Sequence, residues 1–499
     1  MNTALLLEMI ADGLGDRPAI GLADAAVSYA ELLARARAGA AWLSQYDGGT
    51  VAYLGLNGPG LPVAVFASGA LGRSFAPLNY RLTDADLRRI LARTAPSVAI
   101  VDDDMLARAQ GVDGVAVVSR SAFAAACLDP ANRAAGLAEA DPDVAVLLFT
   151  SGTTGEPKAA ILRHRHLASY VISTVDFMGA EEGEAALVSV PPYHIAGISA
   201  VLSNVYAGRR IVHLPAFSPE TWVEAAAAEA ITHAMVVPTM LGRILDVLEA
   251  RGEALPALRA LSYGGGRMPP AVIERALRLL PQVDFVNAYG LTETSSTIAV
   301  LGPDDHRAAR DGADPKAKGR LASVGRPLPG LEVEIRDPGG RPVPVGTAGE
   351  VCVRGEQISG EYVGRKLIGD DGWFHTRDSG FLDQDGYLFL EGRMDDVIVR
   401  GGENISPGEI EDVLRQHPAV ADVAVLGLPD DEWGELVAAV ITPRGEPDPE
   451  ALPEALRAFV RERLRSTKVP QVIRFQAELP YTETGKLLRR VLKAGFVGG

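Results

Sequence analysis

Between residues 27 and 43 the chain reads VSYAELLARARAGAAWL, with apolar side chains three and four apart, the spacing that lines one face of a helix. TVAYLGL comes next as a compact apolar run that reads as a strand, then LPVAVFASGALG as a helix and PSVAIVD as another strand. The stretch 183–300 repeats this alternation: EAALVSVP and HAMVVP as strands, TMLGRILDVLEAR as a helix, LRALSYGG as a strand, PAVIERALRLLP as a helix, VDFVNAYG as a strand. Strands alternating with helices predict an α/β architecture with parallel sheet. From about residue 319 the texture changes: VGRPLPGLEVEIRDPGGRPVPVGTAGEVCVRGE has short alternating strands split by Pro and Gly, which predicts a β-rich subdomain. A third section starts near 393, where SPGEIEDVLRQHPAVADVAVLGLPDDEWGELVAAVITP reads as helix, strand, turn, strand, and PEALRAFVRERL as a further helix. That makes a small α/β unit of roughly a hundred residues, a size at which domains fold alone.

The chain has 499 residues, too many for one core, so two or more domains are expected. A formal net charge of −16 argues against a nucleic-acid or anionic-membrane binder, which would present a basic face. It leaves anionic small ligands open, because local geometry overrides global charge. Cys127 and Cys352 lie in apolar stretches with no cysteine or paired histidine at zinc spacing nearby, and read as ordinary thiols of a reducing cytosol. The opening MNTALLLEMIADGLGDR has no basic leader, and Glu8 interrupts its apolar run, so it does not read as a signal peptide. No run of about 18 apolar residues predicts a membrane span. The expectation is a cytoplasmic protein.

One stretch, FTSGTTGEPKAAILRHRHL from Phe149 to Leu167, combines hydroxyls, glycines and a lysine behind the apolar strand VAVLLFT. It is not a Walker A loop: the second glycine would fall where Pro157 stands, and Lys158 is followed by Ala159 rather than Ser or Thr. Its composition still suits polyphosphate. Ser151, Thr153 and Thr154 offer hydroxyls, Gly152 and Gly155 let backbone N–H groups turn to a ligand, and Lys158 adds a mobile charge. A solvated Ser/Thr/Gly turn is the alternative on local grounds.

That stretch resembles the signature loop of the adenylate-forming enzymes, which include acyl- and aryl-CoA ligases, luciferases and peptide-synthetase adenylation domains. Further motifs of the family come in order: PPYHIAG (191–197), YGGG (263–266), NAYGLTE (287–293), GWFHTRDSG (372–380), GRMDDVIVRGGENISPGEIE (392–411) and LPYTETGK (479–486). GALGRSFAPLNYRL (69–82) is similar to an early motif, so the resemblance spans essentially the whole chain. It implies a large N-terminal domain over 1–392, made of mixed or parallel sheet subdomains plus the β-rich subdomain, and a small mobile α/β C-terminal domain over 393–499. It also implies two half-reactions. A carboxylate attacks the α-phosphate of ATP to give an acyl adenylate and pyrophosphate, and a thiol then displaces AMP.

The same resemblance implies a role for each motif residue. Thr150, Ser151, Gly152, Thr153, Thr154, Gly155 and Lys158 hold the β- and γ-phosphates. Glu293 binds Mg2+, a hard cation that takes oxygen ligands. Thr292 touches the α-phosphate, Tyr289 flanks the adenine beside Gly290, and Gly264, Gly265 and Gly266 let backbone lie close to that ring. Asp378 accepts from the ribose hydroxyls and Arg393 adds a ribose or phosphate contact. The family usually has Gly before this aspartate, where the chain has Arg377. Lys486 bridges substrate carboxylate and phosphate in the first half-reaction. It must then leave, which the family achieves by rotating the small domain about a hinge at Asp395. Gly401 and Gly402 let the pantetheine arm pass, Trp433 offers a stacking surface for the CoA adenine, and Arg81 meets a CoA phosphate. On local pattern Trp433 also reads as a core residue, Arg81 as a surface arginine and His194 as a satisfied core histidine. The resemblance makes His194 a gate between the acyl site and the thiol channel.

Ile195, Ala196, Gly197, Val237, Ala288 and Gly290 are expected to line the acyl pocket near His194; they are apolar and mostly small, which fits a hydrophobic aliphatic or aromatic acid. Arg267 is the one nearby residue that offers a partner for a second carboxylate. The expected substrates and cofactors are the acid, ATP, Mg2+ and coenzyme A. Two alternatives stay open, a stand-alone adenylation enzyme loading a carrier protein and a non-catalytic adenylate-binding relative. A homodimer stays open as well.

Overall fold

The computed structural model describes residues 1–133, 143–150, 158–312, 315–401, 403–446, 448–481 and 487–497. Two large sheets form the N-terminal part. In one, strands Asp284–Leu291, Ala260–Gly264, His233–Val236, Ala185–Val188 and Arg210–His213 lie side by side in that order, all parallel. Ser296–Leu301 adds an antiparallel strand at the Asp284–Leu291 edge. In the other sheet, Val144–Thr150, Ser74–Pro77, Thr50–Leu54, Ser97–Val101 and Val115–Ser119 are parallel neighbours, and Lys158–Arg163 pairs antiparallel with Val144–Thr150. Parallel neighbours need crossovers, which the intervening helices supply. Thr50–Leu54 and Ser97–Val101 are buried at every position, as expected of strands covered on both faces.

Helices Ala4–Leu14, Gly60–Ala70, His164–Thr174 and Ile195–Ala207 share one apolar cluster with both sheets, in which Leu6, Phe66, Leu167 and Ile198 meet Tyr53 and Phe75 of one sheet and Val188 and Ile211 of the other. The first predicted helix starts two residues late. Val27–Ser28 is a short strand, and the Ser28 hydroxyl accepts from the Glu31 N–H at 3.3 Å to cap Tyr29–Leu43.

The β-rich section forms a four-stranded antiparallel sheet of Glu332–Arg336, Gly349–Arg354, Phe374–Leu382 and Leu388–Arg393. Its Val351, Phe374 and Leu388 pack on Ile298 and Ala299 at the edge of the first sheet. From Ile398 onward the chain builds its own core on the long hairpin Val420–Asp430 and Gly434–Pro443, covered by helices Pro407–Arg415 and Ala451–Arg461. Among the described residues no helix is long and apolar enough to cross a membrane.

The isolated look of Cys352 along the sequence does not carry into three dimensions. Antiparallel pairing sets it opposite His375, whose Nδ1 lies 3.4 Å from its Sγ and 2.9 Å from a Glu350 carboxylate oxygen. Burial first, then the Glu350 charge, pushes the Cys352 thiol up to about 12, so it stays protonated.

Candidate active site

Thr150 and Lys158 face each other across a hairpin register. Ser151, Gly152, Thr153, Thr154 and Gly155 lie outside the described residues, in the segment that connects these two paired strands. Beyond Lys158 the chain continues as strand, and the helix begins only at His164. The connection is thus strand to strand, unlike the strand-to-helix turn that puts phosphate at a helix N-terminus. Ala159 is a regular strand residue paired with Phe149 and buried. Its backbone uses none of glycine's freedom.

Strand Asp284–Leu291 ends in the single turn Thr292–Thr294, which carries Thr292 and Glu293. The chain then strains: Ser295 has φ 57° and Ser296 φ 115°, both in territory that favours glycine. Residues from the β-rich section hold this turn. The buried Gln357 amide donates to the carbonyls of Thr294 (3.0 Å) and Thr297 (2.7 Å). The N–H groups of Ser359 and Gly360 both donate to the Glu293 carbonyl at 2.9 Å. The Tyr362 hydroxyl donates to the Glu293 carboxylate and lies 3.4 Å from Thr150 Oγ1. Burial, then the Glu293 charge, raises the Tyr362 phenol above its ordinary range, so it remains a donor. Sequence reasoning missed Gln357 and Tyr362, because neither sits in a motif and no local pattern marks them. Glu293, Thr150 and Tyr362 present oxygen atoms only, a donor set that fits Mg2+ rather than a softer metal.

The second cluster is built on cross-strand partners Asp378 and Arg393. Arg393 Nη1 donates to Asp378 Oδ1 at 2.8 Å and to the Thr376 carbonyl at 2.9 Å, and the Tyr289 hydroxyl donates to Asp378 Oδ2 at 2.5 Å. Burial, with the Asp378 charge second, raises the Tyr289 phenol. Both carboxylate oxygens are thereby oriented, and each keeps lone-pair capacity for a further donor. Tyr289, expected beside a base, reaches the aspartate with its hydroxyl. Arg377 adopts φ 64°, the left-handed conformation that glycine would take there, at a cost of about 1–2 kcal/mol. Its guanidinium meets Asp395 at 2.7 Å, so the odd residue before the aspartate is tied to the expected hinge.

Gly264 and Gly290 sit where a Cβ would press into the carbonyl oxygens of Ala288 and Ser296, and Gly265 has φ 78° while Gly266 is exposed. His194 precedes helix Ile195–Ala207, and burial holds its imidazole down at about 4, hence neutral. Its ring is 4.7 Å from that of Tyr193, which meets Tyr80 at 5.3 Å, and the Arg81 guanidinium lies 5.6 Å from the Tyr80 ring. On the small domain Gly401 (φ 57°) donates its N–H to the Trp433 carbonyl at 2.8 Å, and a Cβ there would lie 3.0 Å from the indole. Trp433 is 48% exposed, so it is no core residue, and the Arg400 guanidinium lies 5.4 Å from its ring. The structure thus pairs Gly401 with Trp433, and Arg81 with the aromatic series that ends at His194. Gly402 and Lys486 lie outside the described residues.

A cavity of about 510 Å³ lies between the first sheet and helices His164–Thr174 and Ile195–Ala207. Ala196 and Ala288 line it. Ile195, Gly197, Val237 and Gly290 are not in its wall: Gly197 lets its helix approach the Pro191 carbonyl, Val237 packs in the core on the other side of the sheet, and Gly290 abuts Ser296. The cavity is richer in hydroxyls than the apolar lining expected from the sequence. Arg267 does not line it; its guanidinium pairs with Asp412 on the small domain.

The chain is similar to known proteins in sequence and in fold. The family model described as AMP-binding enzyme matches residues 7–363, and that of the AMP-binding enzyme C-terminal domain matches 409–486. The chain is 34% identical over 484 residues to a feruloyl-CoA synthase from Amycolatopsis sp, covering 94% of each chain. It is 33% identical over 472 residues to the fatty acid–[acyl-carrier-protein] ligase ScoC from Streptomyces coeruleorubidus, covering 90% of this chain and 87% of the relative. The o-succinylbenzoate CoA synthetase MenE from Bacillus subtilis, solved with its acyl-adenylate intermediate OSB-AMP, superposes with a TM-score of 0.84 at 28% identity, covering 98% of this chain and 97% of that one.

Proposed function

The chain belongs to the AMP-binding enzyme family, and we propose that it joins a hydrophobic aliphatic or aromatic carboxylic acid to coenzyme A through an acyl adenylate. The observation that carries this reading is where the cavity ends. Ala288 and Ser296 wall it; Ala288 adjoins Tyr289 and Ser296 lies three residues beyond Glu293, so an acid lying in the cavity can direct its carboxylate toward the two hydrogen-bonded clusters.

In the first half-reaction a carboxylate oxygen attacks the α-phosphorus of ATP, and the bond to the leaving pyrophosphate breaks. No proton need move, so the protein's work is to position the groups and offset charge. We assign Thr150, Lys158 and the segment between them to the leaving phosphates, and Asp378, oriented by Tyr289 and Arg393, to the ribose hydroxyls. Glu293, steadied by Tyr362, would hold the Mg2+ that accompanies ATP; bound there, the ion offsets phosphate charge. A MenE structure solved with ATP and magnesium ion supports Mg2+ as the accompanying ion by similarity. Lys486 is the cation we assign between carboxylate and phosphate. In the second half-reaction the thiol displaces AMP, with neutral His194 at the passage and Gly401, Trp433 and Arg81 receiving CoA.

The similarity to ScoC keeps an acyl-carrier protein as the second reading of the acceptor. The exposed Trp433 face beside Arg400 favours CoA, whose base can stack there. The test is carboxylate-dependent pyrophosphate release over an acid panel, with and without CoA. No release with any acid would sink the ligase reading, and adenylate that never passes to CoA would transfer it to a carrier protein. Lys486→Ala should abolish adenylation yet still convert presupplied acyl adenylate with CoA.

A further inference from the structure

The cavity has a length, a wall chemistry and a far end, and together they narrow the acid. Strand alternation sends Val188, Met235, Ser262 and Ala288 to the cavity side of the sheet, while Val236, Tyr263 and Phe285 serve the opposite core. The facing helix presents Ala196, Ser199, Ala200, Ser203 and Asn204, spaced as one stripe of small or polar residues. From Ala196 to Asn204 the helix rises about 12 Å. The space is therefore a channel running along the strands, from the adenylate end at Ala288 to a far end at Asn204, Arg209 and His233.

Partway along it stands Ser199. Its side chain is 5% exposed, it lines the cavity, and its Oγ has no hydrogen-bond partner among the described residues. A buried hydroxyl left without a partner is costly, and a ligand group that bonds to it removes that cost. The far end looks cationic in outline, yet its charge is spent. Arg209 donates to Glu184 through Nε at 2.9 Å, contacts the same carboxylate through Nη2 at 2.8 Å, and donates to Asn204 Oδ1 at 2.9 Å. His233 faces this pair, with Nδ1 2.8 Å from Thr232 Oγ1. Its imidazole is held near 4, by burial first and then by the Arg209 charge, so it is neutral. Arg259, the other arginine beside Glu184 at 3.8 Å, donates to Glu181 at 2.8 Å, so among the described residues an anionic tail arriving there meets the Glu184 carboxylate and arginines already paired.

Resting on the ligase reading, we infer that the acid is elongated and carries an uncharged hydrogen-bonding group, a hydroxyl, ether or carbonyl, that reaches Ser199, and that dicarboxylic acids are rejected. The small side chains of the helix stripe and the largely aliphatic ones of the sheet admit an aromatic ring or an alkyl chain. The polar group, not the skeleton, is what the site selects.

The test uses three acids on one skeleton: 3-phenylpropanoate, its 4-hydroxy derivative and its 4-carboxy derivative, compared by kcat/KM for pyrophosphate release. The hydroxylated acid is expected to lead the unsubstituted one by about tenfold, the scale of one hydrogen bond, and the dicarboxylate to trail both. In Ser199→Ala the ratio of hydroxylated to unsubstituted acid should fall to about one. Ala200→Phe, which fills the channel midway, should lower kcat/KM for all three acids, with thermal melts confirming that both variants fold. A dicarboxylate that leads the series, or a hydroxyl preference that survives Ser199→Ala, overturns the inference and leaves the ligase reading standing. No pyrophosphate release with any acid defeats the ligase reading, and this inference with it.

Discussion

Tyr362→Phe removes one oxygen and keeps the ring. That oxygen donates to the Glu293 carboxylate and sits 3.4 Å from Thr150 Oγ1, so it joins the carboxylate assigned to Mg2+ with the strand that leads into the phosphate segment. A hydrogen bond to a charged group contributes about 1.5–3 kcal/mol. At about 1.4 kcal/mol per factor of ten, that is roughly ten- to a hundredfold in any equilibrium that needs Glu293 held in place. Partners that orient metal-binding carboxylates fall in the same range, about 10–100-fold. Folding should suffer less, because Glu293 is half-buried and water can replace the lost donor, and because Arg163 still anchors the neighbouring Glu361 at 2.8 Å. The assay is a Mg2+ titration of carboxylate-dependent pyrophosphate release at saturating ATP and acid, beside a thermal melt. Half-saturating Mg2+ is expected to rise about tenfold or more. A folded variant whose Mg2+ curve superposes on that of the parent would refute the positioning role of Tyr362.

Three further outcomes are expected. Arg377→Gly releases about 1–2 kcal/mol of left-handed strain, costs about 0.5–1 kcal/mol in chain entropy, and loses an exposed ion pair to Asp395 that contributes little; urea denaturation should move by less than about 1 kcal/mol, whereas Arg377→Val should destabilise clearly. His164 and His166 are buried and held near 4, mainly by that burial, below an unfolded value near 6.5. Between those values the unfolded chain binds more protons, so stability should fall as pH drops from 6.5 to 4, by up to about 1.4 kcal/mol per pH unit for each histidine. A flat urea-denaturation profile across that window would contradict it. Trp433→Ala removes an exposed ring and should leave stability within about 0.5 kcal/mol, while raising KM for CoA about three- to tenfold with pyrophosphate release unaltered.

Periodicity alone predicted the alternation of strands and helices and the parallel sheet. Alternating strand and helix patterns from Thr50 to Leu291 became two sheets with parallel cores, because each element's buried face is written in its own few residues. Motif order likewise singled out Glu293, Asp378 and Arg393 as candidates, and the pairing of Phe374–Leu382 with Leu388–Arg393 sets Asp378 opposite Arg393. Where local pattern and backbone disagreed, at Arg377, the residue took the conformation glycine would have taken, since the surrounding strands over-determine it. Other features depended on contacts between distant segments. Tyr362 and Gln357 come from a different subdomain than the turn they hold, Cys352 meets His375 only through sheet register, and Arg267 spends its charge on Asp412. The channel is of the same kind: its wall combines alternate strand residues with a helix stripe, so neither its length nor the unpartnered Ser199 hydroxyl exists until sheet and helix are packed together. The sequence determined which elements form and which chemistry each carries, because backbone periodicity and turn preferences act over a few residues. Tertiary structure decided which side chains complete the site and what the cavity admits, because register and packing join residues that no local pattern links.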